Sequence, residues 1–383
     1  MGDGFLDSVQ GLKELKIFMA DEAQQKKMNN ASEEFRKITM KVLVMQLAST
    51  TIMDLIAYGG AGVGIAFAVL KVAEGALSPF LALFLILVAV EFFLPLRAFG
   101  AAFHVAMNGV SAGNKILSFL ATPEPIWGEE KVSHMEWMLE NVKFSYDDRR
   151  DVLKNVTMTF PQKGMTSIVG ESGCGKSTVV QILLGGIRPK SGSVSVGGKK
   201  LENLSRESYY EHLAAVSYNT YIFNETVRQN FKLGNKKVSD EEIYVALEKV
   251  NLAGFVRENG GLDKKIMEDG ANLSGGQKQR LALAVNLVAD KDMYVFDEAT
   301  SNIDVESETI IMKNIRELSR SKAVIVISHR LANVVPSDKI YYMETGEVKE
   351  QGTHKELMEK NGGYARLFMT QKELEEGYAE VSA

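Results

Sequence analysis

Two long apolar runs stand near the front of this chain, and nothing like them recurs later. Val42 to Leu70 holds 29 residues with Asp54 as the single formal charge, and Ala76 to Phe99 holds 24, interrupted by Glu91 and Arg97. As helices rising about 1.5 Å per residue they reach about 43 Å and 36 Å, against a hydrocarbon core of about 30 Å. Both are predicted to span a bilayer. Ahead of them Phe5, Val9, Leu12, Leu15 and Met19 recur at spacings of three and four. That stripe predicts one charged helix from Phe5 to Lys41, running into the first span without a break. Beyond Phe99 the helix is expected to continue to about Ala121, where Thr122-Pro123-Glu124-Pro125 stops it, because proline lacks the amide donor and biases its predecessor away from helix.

From Met135 the period changes. Short β-rich runs alternate with helical segments: Met138–Phe144, Thr157–Phe160, Met165–Val169, Ser193–Val196, Ala214–Ser217, Asp292–Phe296, Ala323–Ser328 and Lys339–Met343 read as strands. Ile222 to Leu287 reads as mostly helical. The expected fold is an α/β domain with a largely parallel core, a β-rich entry region and an inserted helical subdomain, preceded by an all-α membrane segment with two transmembrane helices. The expected boundaries are 1–121 for the membrane segment (spans about 42–70 and 76–99), 122–134 for a linker, 135–370 for the α/β domain and 371–383 for a charged tail.

Charge refines the topology. Arg36, Lys37 and Lys41 precede the first span, whereas the loop from Lys71 to Pro79 holds only Lys71 and Glu74. The excess of cations puts both ends of the hairpin in the cytosol of a multi-pass protein of the cell membrane. Asp54, Glu91 and Arg97 are either functional charges or partners for neighbouring helices and the interface. Gly59, Gly60, Gly62 and Gly64 suit close helix packing or a local distortion. A net charge of −5 over 383 residues, with no dense basic face, argues against a nucleic-acid partner. The single cysteine, Cys174, excludes an internal disulfide and a cysteine-based metal cluster.

Chemistry concentrates after Val169. Gly170-Glu171-Ser172-Gly173-Cys174-Gly175-Lys176-Ser177 fits G-x-x-x-x-G-K-[ST] between a predicted strand and a helix opening at Ser177-Thr178, the setting a P-loop needs. Glycines let backbone N–H groups turn around phosphate oxygens, and the helix aims its positive end at them. Lys176 reaches the β- and γ-phosphates, and the Ser177 hydroxyl suits Mg²⁺. Further on, Leu273-Ser274-Gly275-Gly276-Gln277 opens a second apolar helix and a second anion-binding terminus. One nucleotide does not need two such termini from one chain, but two facing chains would use both.

Leu-Ser-Gly-Gly-Gln is the signature of the ATP-binding cassette family, and the chain resembles that family's exporters from Met135 to about Met369. The resemblance implies ATP and Mg²⁺ as ligands. It implies that Asp297 binds the metal, that Glu298 is the general base for the attacking water, and that His329 contacts the γ-phosphate. Ser301-Asn302-Ile303-Asp304 resembles the loop through which Asp304 couples two composite sites. Tyr146 resembles the aromatic that stacks on adenine. Tyr218 stands where the family carries a Mg²⁺-linked glutamine, with Asn219 as a substitute by a small register shift. The remaining histidines show no ligand spacing.

Residues 1–120 resemble the last two of an exporter's six spans. The implied partners are a second half-transporter chain, membrane helices supplied by another polypeptide or by a longer chain, a small-molecule substrate and the lipid bilayer. Tyr218 leans the pairing towards a heterodimer. The Glu91–Arg97 and Ser301–Asp304 segments resemble bacterial exporters of cysteine or glutathione used in cytochrome bd assembly. Two function classes stay open: an ATP-hydrolysing exporter subunit, and a non-transporting ATP-binding membrane protein, either regulatory or an inactive fragment.

Overall fold

The computed structural model describes residues 2–381 other than 148, 149, 218, 219 and 302. The chain divides into two compact units, Met1–Pro123 and Glu124–Ala383.

The first unit is helical: α1 (Gly2–Gln10), α2 (Leu12–Ile17), α3 (Asp21–Ala73) and α4 (Pro79–Leu120). The single helix expected from Phe5 to Lys41 is therefore broken twice, at Gly11 and at Phe18–Ala20. The second break is a Schellman stop. Met19 turns left-handed at φ 51°, its N–H reaches Lys16 O at 3.2 Å, and the Ala20 N–H reaches Leu15 O at 2.9 Å. Those bonds satisfy carbonyls that a continuing helix would have used. Helix α3 then runs unbroken for 53 residues. Among the described residues it is the one helix long and apolar enough to cross a membrane, while Pro79–Ala89 is a shorter apolar stretch of α4.

Ala57, Ala61 and Ala68 of α3 and Ala82 of α4 are buried, and a Cβ on Gly64 would lie 3.3 Å from the Ala89 Cβ. The α3 seam thus repeats small residues at spacings of four, three and four, which lets the backbones approach. Gly59 and Gly62 face open space instead. Helix α4 starts on an N-cap: Ser78 Oγ accepts from the Leu81 N–H at 3.3 Å, and proline follows where no amide donor is needed. The outer faces present Val63, Phe67, Phe84 and Leu87. The side chain of Arg97 lies outside the described residues.

The second unit holds two sheets. A four-stranded antiparallel sheet orders β2-β1-β4-β5, from β1 (Trp137–Phe144), β2 (Leu153–Phe160), β4 (Ser191–Val196) and β5 (Lys199–Lys200). A six-stranded sheet orders β10-β9-β3-β8-β7-β6, from β3 (Gly164–Gly170), β6 (Leu213–Ser217), β7 (Met293–Asp297), β8 (Ala323–Ile327), β9 (Lys339–Glu344) and β10 (Glu347–Gly352). Its strands are parallel except β10, which runs antiparallel to β9. The apolar runs follow from two-sided burial. In β7 and β8, Met293, Val295, Ala323, Ile325 and Ile327 pack towards the antiparallel sheet. Tyr294, Phe296, Val324 and Val326 pack on the opposite face. There they meet the helical subdomain of α7 (Val227–Gly234), α8 (Asp240–Lys249), α9 (Ala253–Glu258) and α10 (Gly275–Val288). The unit also holds α5 (Lys176–Leu183), α6 (Arg206–Glu211), α11 (Val305–Ser319), α12 (His354–Lys360) and α13 (Gly363–Val381).

Candidate nucleotide site

Three neighbouring strands converge at one end of the large sheet. Ile168 of β3 lies opposite Ile327 of β8, which lies opposite Asp297 of β7. The chain beyond each strand therefore leaves from the same edge: Gly170 onward, Ser328–His329, and Glu298. Ligands of open α/β sheets bind at this carboxyl edge.

The loop from Gly170 to Gly175 is shaped by its glycines. A Cβ on Gly170, at φ 152°, would lie 2.1 Å from Met343 O, and one on Gly175, at φ 107°, would lie 2.7 Å from Leu153 Cδ2. Only glycine fits either place. Gly173 has open space around it but φ 79°. Gly175 is the N-cap of α5. Lys176 is buried and curls back into the loop, donating to Gly170 O at 2.8 Å and Glu171 O at 2.9 Å. Cys174 is buried beside it, with Sγ 3.9 Å from Lys176 Nζ. Glu171, Ser172 and Ser177 are exposed, and Thr178 is buried.

Facing the loop are two acids and a histidine. Burial and the neighbouring Glu298 charge push the Asp297 carboxyl up to about 6, against a smaller downward pull from Lys176 and His329. Its Oδ1 is buried with no hydrogen-bond partner. A carboxylate oxygen sealed from water and unpaired fits a hard divalent cation. Glu298 takes the left-handed backbone at φ 54°. Its N–H donates to Ile327 O at 2.9 Å, and its carbonyl accepts from Ser301 Oγ at 2.9 Å and Gln279 Nε2 at 3.2 Å. A strained φ on a non-glycine residue held by bonds on both sides fixes where the side chain emerges. That side chain meets His329: Glu298 Oε1 and His329 Nε2 are 2.6 Å apart.

Tyr146 stands exposed at the rim, edge-on to Phe144 with ring centroids 4.9 Å apart, and its hydroxyl lies 3.4 Å from Thr178 Oγ1. Ser274 caps α10 in a reciprocal box: the Gln277 N–H donates to Ser274 Oγ at 3.2 Å and the Ser274 N–H to Gln277 Oε1 at 2.9 Å. Gly275 and Gly276 form the first turn of α10. Asp304 caps α11, accepting from the Ser307 N–H at 2.8 Å, and that bond holds its carboxyl below the usual range.

The sequence pattern of the ABC transporter family matches residues 153–301. An uncharacterised ABC transporter ATP-binding protein of Haemophilus influenzae is 46% identical over 380 residues, which is 98% of this chain and 68% of that protein. The chain belongs to the ABC transporter family. It carries that family's ATP-binding domain. The glutathione/L-cysteine transport system ATP-binding/permease protein CydC of Bacillus subtilis is 31% identical over 97% of this chain and 66% of its own length. The solved structure of a bacterial Atm1-family ABC exporter with ATP bound superposes with a TM-score of 0.84 at 25% identity, covering 96% of this chain and 65% of that one. The chain thus spans about two thirds of the length of these ABC relatives.

Tyr218, which stands where the family carries glutamine, its register-shift substitute Asn219, and Asn302 of the Ser301–Asp304 loop lie outside the described residues. Two residues at the ABC site escape sequence inspection. Gln279 is buried and spans from α10 to Glu298 O and Ser301 Oγ. Glu308 is buried between the loops that carry Glu298 and His329. For Gln279, which directly follows Gln277 and Lys278 in the helix opened by Ser274, a polar residue inside an apolar helix is the available signal. Glu308 gave none.

Proposed function

We propose that this chain is the ATP-hydrolysing subunit of an exporter, in which nucleotide-driven closure against a second chain is coupled to solute movement across the membrane. The observation that carries the reading is the Glu298–His329 pair at 2.6 Å, set beside the unpaired Asp297 Oδ1 at the strand edge that also carries the glycine loop. Tyr146 stacks on adenine, and the backbone from Gly170 to Thr178 surrounds the phosphates. Lys176 leaves its two carbonyl acceptors for phosphate oxygens. Asp297 and Ser177 would hold Mg²⁺, which neutralises the charge developing on the β- and γ-phosphates. The Glu298 carboxylate accepts a proton from water as the water oxygen attacks the γ-phosphorus, the bond from that phosphorus to the β–γ bridging oxygen breaks, and ADP leaves with inorganic phosphate as the other product. His329 orients that water through the shared hydrogen bond. The Ser274–Gln277 helix terminus of one chain closes on the phosphates held by the other, with Asp304 between the two sites.

The membrane part is a multi-pass segment of a bacterial cell membrane, with the ATP-binding domain in the cytoplasm. Further spans come from the same or another polypeptide, and the cargo is a small molecule. Its relatives include glutathione/L-cysteine transport proteins and a lipid A-core flippase; of these cargoes we favour a thiol-containing small solute. Reconstituted in nanodiscs with its partner subunits, the wild type is expected to turn over ATP, and Glu298→Gln to bind ATP while losing turnover by about 10²-fold or more. Wild-type turnover no higher than that of the variant, with ATP still bound, would leave the non-transporting reading.

A further inference from the structure

Glu308 is a buried carboxylate, 5% exposed, that the proposed chemistry does not use. Both its oxygens are filled. Oε1 accepts from Thr300 Oγ1 at 2.8 Å and from Asn333 Nδ2 at 2.8 Å, and Oε2 pairs with the Arg330 guanidinium. A buried ion pair is weak ground for stability, since apolar residues of similar volume do as well or better. Its placement is more informative than its energy.

Thr300 stands two residues after Glu298, and Arg330 directly follows His329. Asn333 lies in the 3-10 turn Leu331–Val334. Ser328, on the other side of His329, accepts from the Arg330 N–H at 3.0 Å and lies 3.4 Å from Asn333 Nδ2. One carboxylate therefore grips the flank of the Glu298 loop and the flank of the His329 loop together. It also sits in the first turn of α11, where the Glu308 N–H donates to Asp304 O at 2.9 Å and Asp304 caps the helix. Asp304 and Glu308 are thus joined through the first turn of α11.

We propose that Glu308 is a positioning residue for ATP hydrolysis: it locks Glu298 and His329 in register and carries the position of Asp304 to them. The proposal rests on the hydrolytic reading above for its role in turnover, but the lock itself is a property of the nucleotide-free chain. A merely structural carboxylate would change the folded fraction and nothing else. A positioning one changes turnover per bound nucleotide and the surroundings of the His329 ring.

The test uses the full chain in nanodiscs with its partner subunits and the variants Glu308→Gln, Arg330→Gln, the double variant, and the milder Thr300→Val. Binding is read by competition with a fluorescent ATP analogue, and turnover is expressed per bound nucleotide. The His329 ring is observed by ¹³C NMR of histidine-labelled protein without nucleotide, assigned with His329→Gln. Glu308→Gln is expected to bind ATP within about twofold of wild type while turnover falls about 10- to 100-fold, the scale of an ångström-level misplacement. The double variant is expected to be no slower than the slower single variant. Thr300→Val, which removes one bond and keeps the shape, is expected to show a smaller loss of the same kind if Glu308→Gln does not fold. The His329 resonance should move while those of His134, His212 and His354 stay. Unchanged turnover per bound nucleotide, or an unmoved His329 resonance, overturns the proposal. A wild type without turnover sinks the hydrolytic reading instead, and the His329 resonance still decides the lock.

Discussion

Replacing Asp297 with asparagine separates two demands on this position, folding and the metal binding proposed for it. Burial and the Glu298 charge raise its carboxyl from the ordinary 3.8 to about 6. A folded-state value above the unfolded one means that the group's stabilising contribution is full below the unfolded value and is lost as pH rises through about 6. Near pH 7.5 the fold therefore carries an uncompensated charge. The rise corresponds to at most about 3 kcal/mol, and solvent at the partly open site reduces it to about 1–2 kcal/mol. Asp297→Asn should stabilise the nucleotide-free domain by that amount at pH 7.5, and the gap should narrow to about half by pH 5 and close only near the ordinary 3.8. Mg²⁺ with nucleotide should stabilise the wild type above pH 6 and the variant much less. Urea unfolding followed by tryptophan fluorescence reads this directly, because both tryptophans, Trp127 and Trp137, belong to the second unit. Parallel stability curves for the two proteins from pH 5 to 8 would refute the reasoning.

Three further outcomes follow from the same geometry. Gly170→Ala places a Cβ 2.1 Å from Met343 O; it should abolish nucleotide binding and destabilise the domain by about 2–3 kcal/mol, read by ATP titration and unfolding together. Tyr146→Ala should weaken ATP by about 1–3 kcal/mol if the exposed ring stacks on the base, while Tyr146→Phe, losing only the 3.4 Å contact to Thr178, should bind within about twofold. Ser274→Ala removes the N-cap of α10 and should cost about 1 kcal/mol of stability, measurable in the same urea experiment.

The legible parts of the fold are those where local pattern and tertiary environment agree. Strands such as β7 and β8 are buried on both faces, so they appear as unbroken apolar runs. The glycine loop and Ser274–Gln277 are contiguous segments whose chemistry lies in their own residues. Strand β10, Glu-Val-Lys-Glu-Gln-Gly, is a polar edge strand that takes its conformation from β9. The stop at Met19 has neither glycine nor proline to announce it, because its cost is met by the two backwards hydrogen bonds. Glu308 resembles any surface acid of a helix's first turn. Its partners lie 8, 22 and 25 residues away, a juxtaposition created only by the neighbouring strands.

Lys176 turns nucleotide capture into an exchange. Its ammonium already holds two carbonyl oxygens, at 2.8 and 2.9 Å, so a neutral acceptor offers it no more than it has. Only a ligand of higher negative charge outcompetes those dipoles, because hydrogen bonds to ionised acceptors are roughly twice as strong as neutral ones. In the proposed site adenosine would settle against Tyr146 and leave the lysine parked, whereas a polyphosphate would draw it out. On that reading the loop would sort adenine compounds by the charge of their tails, with the backbone serving as the competitor that sets the threshold.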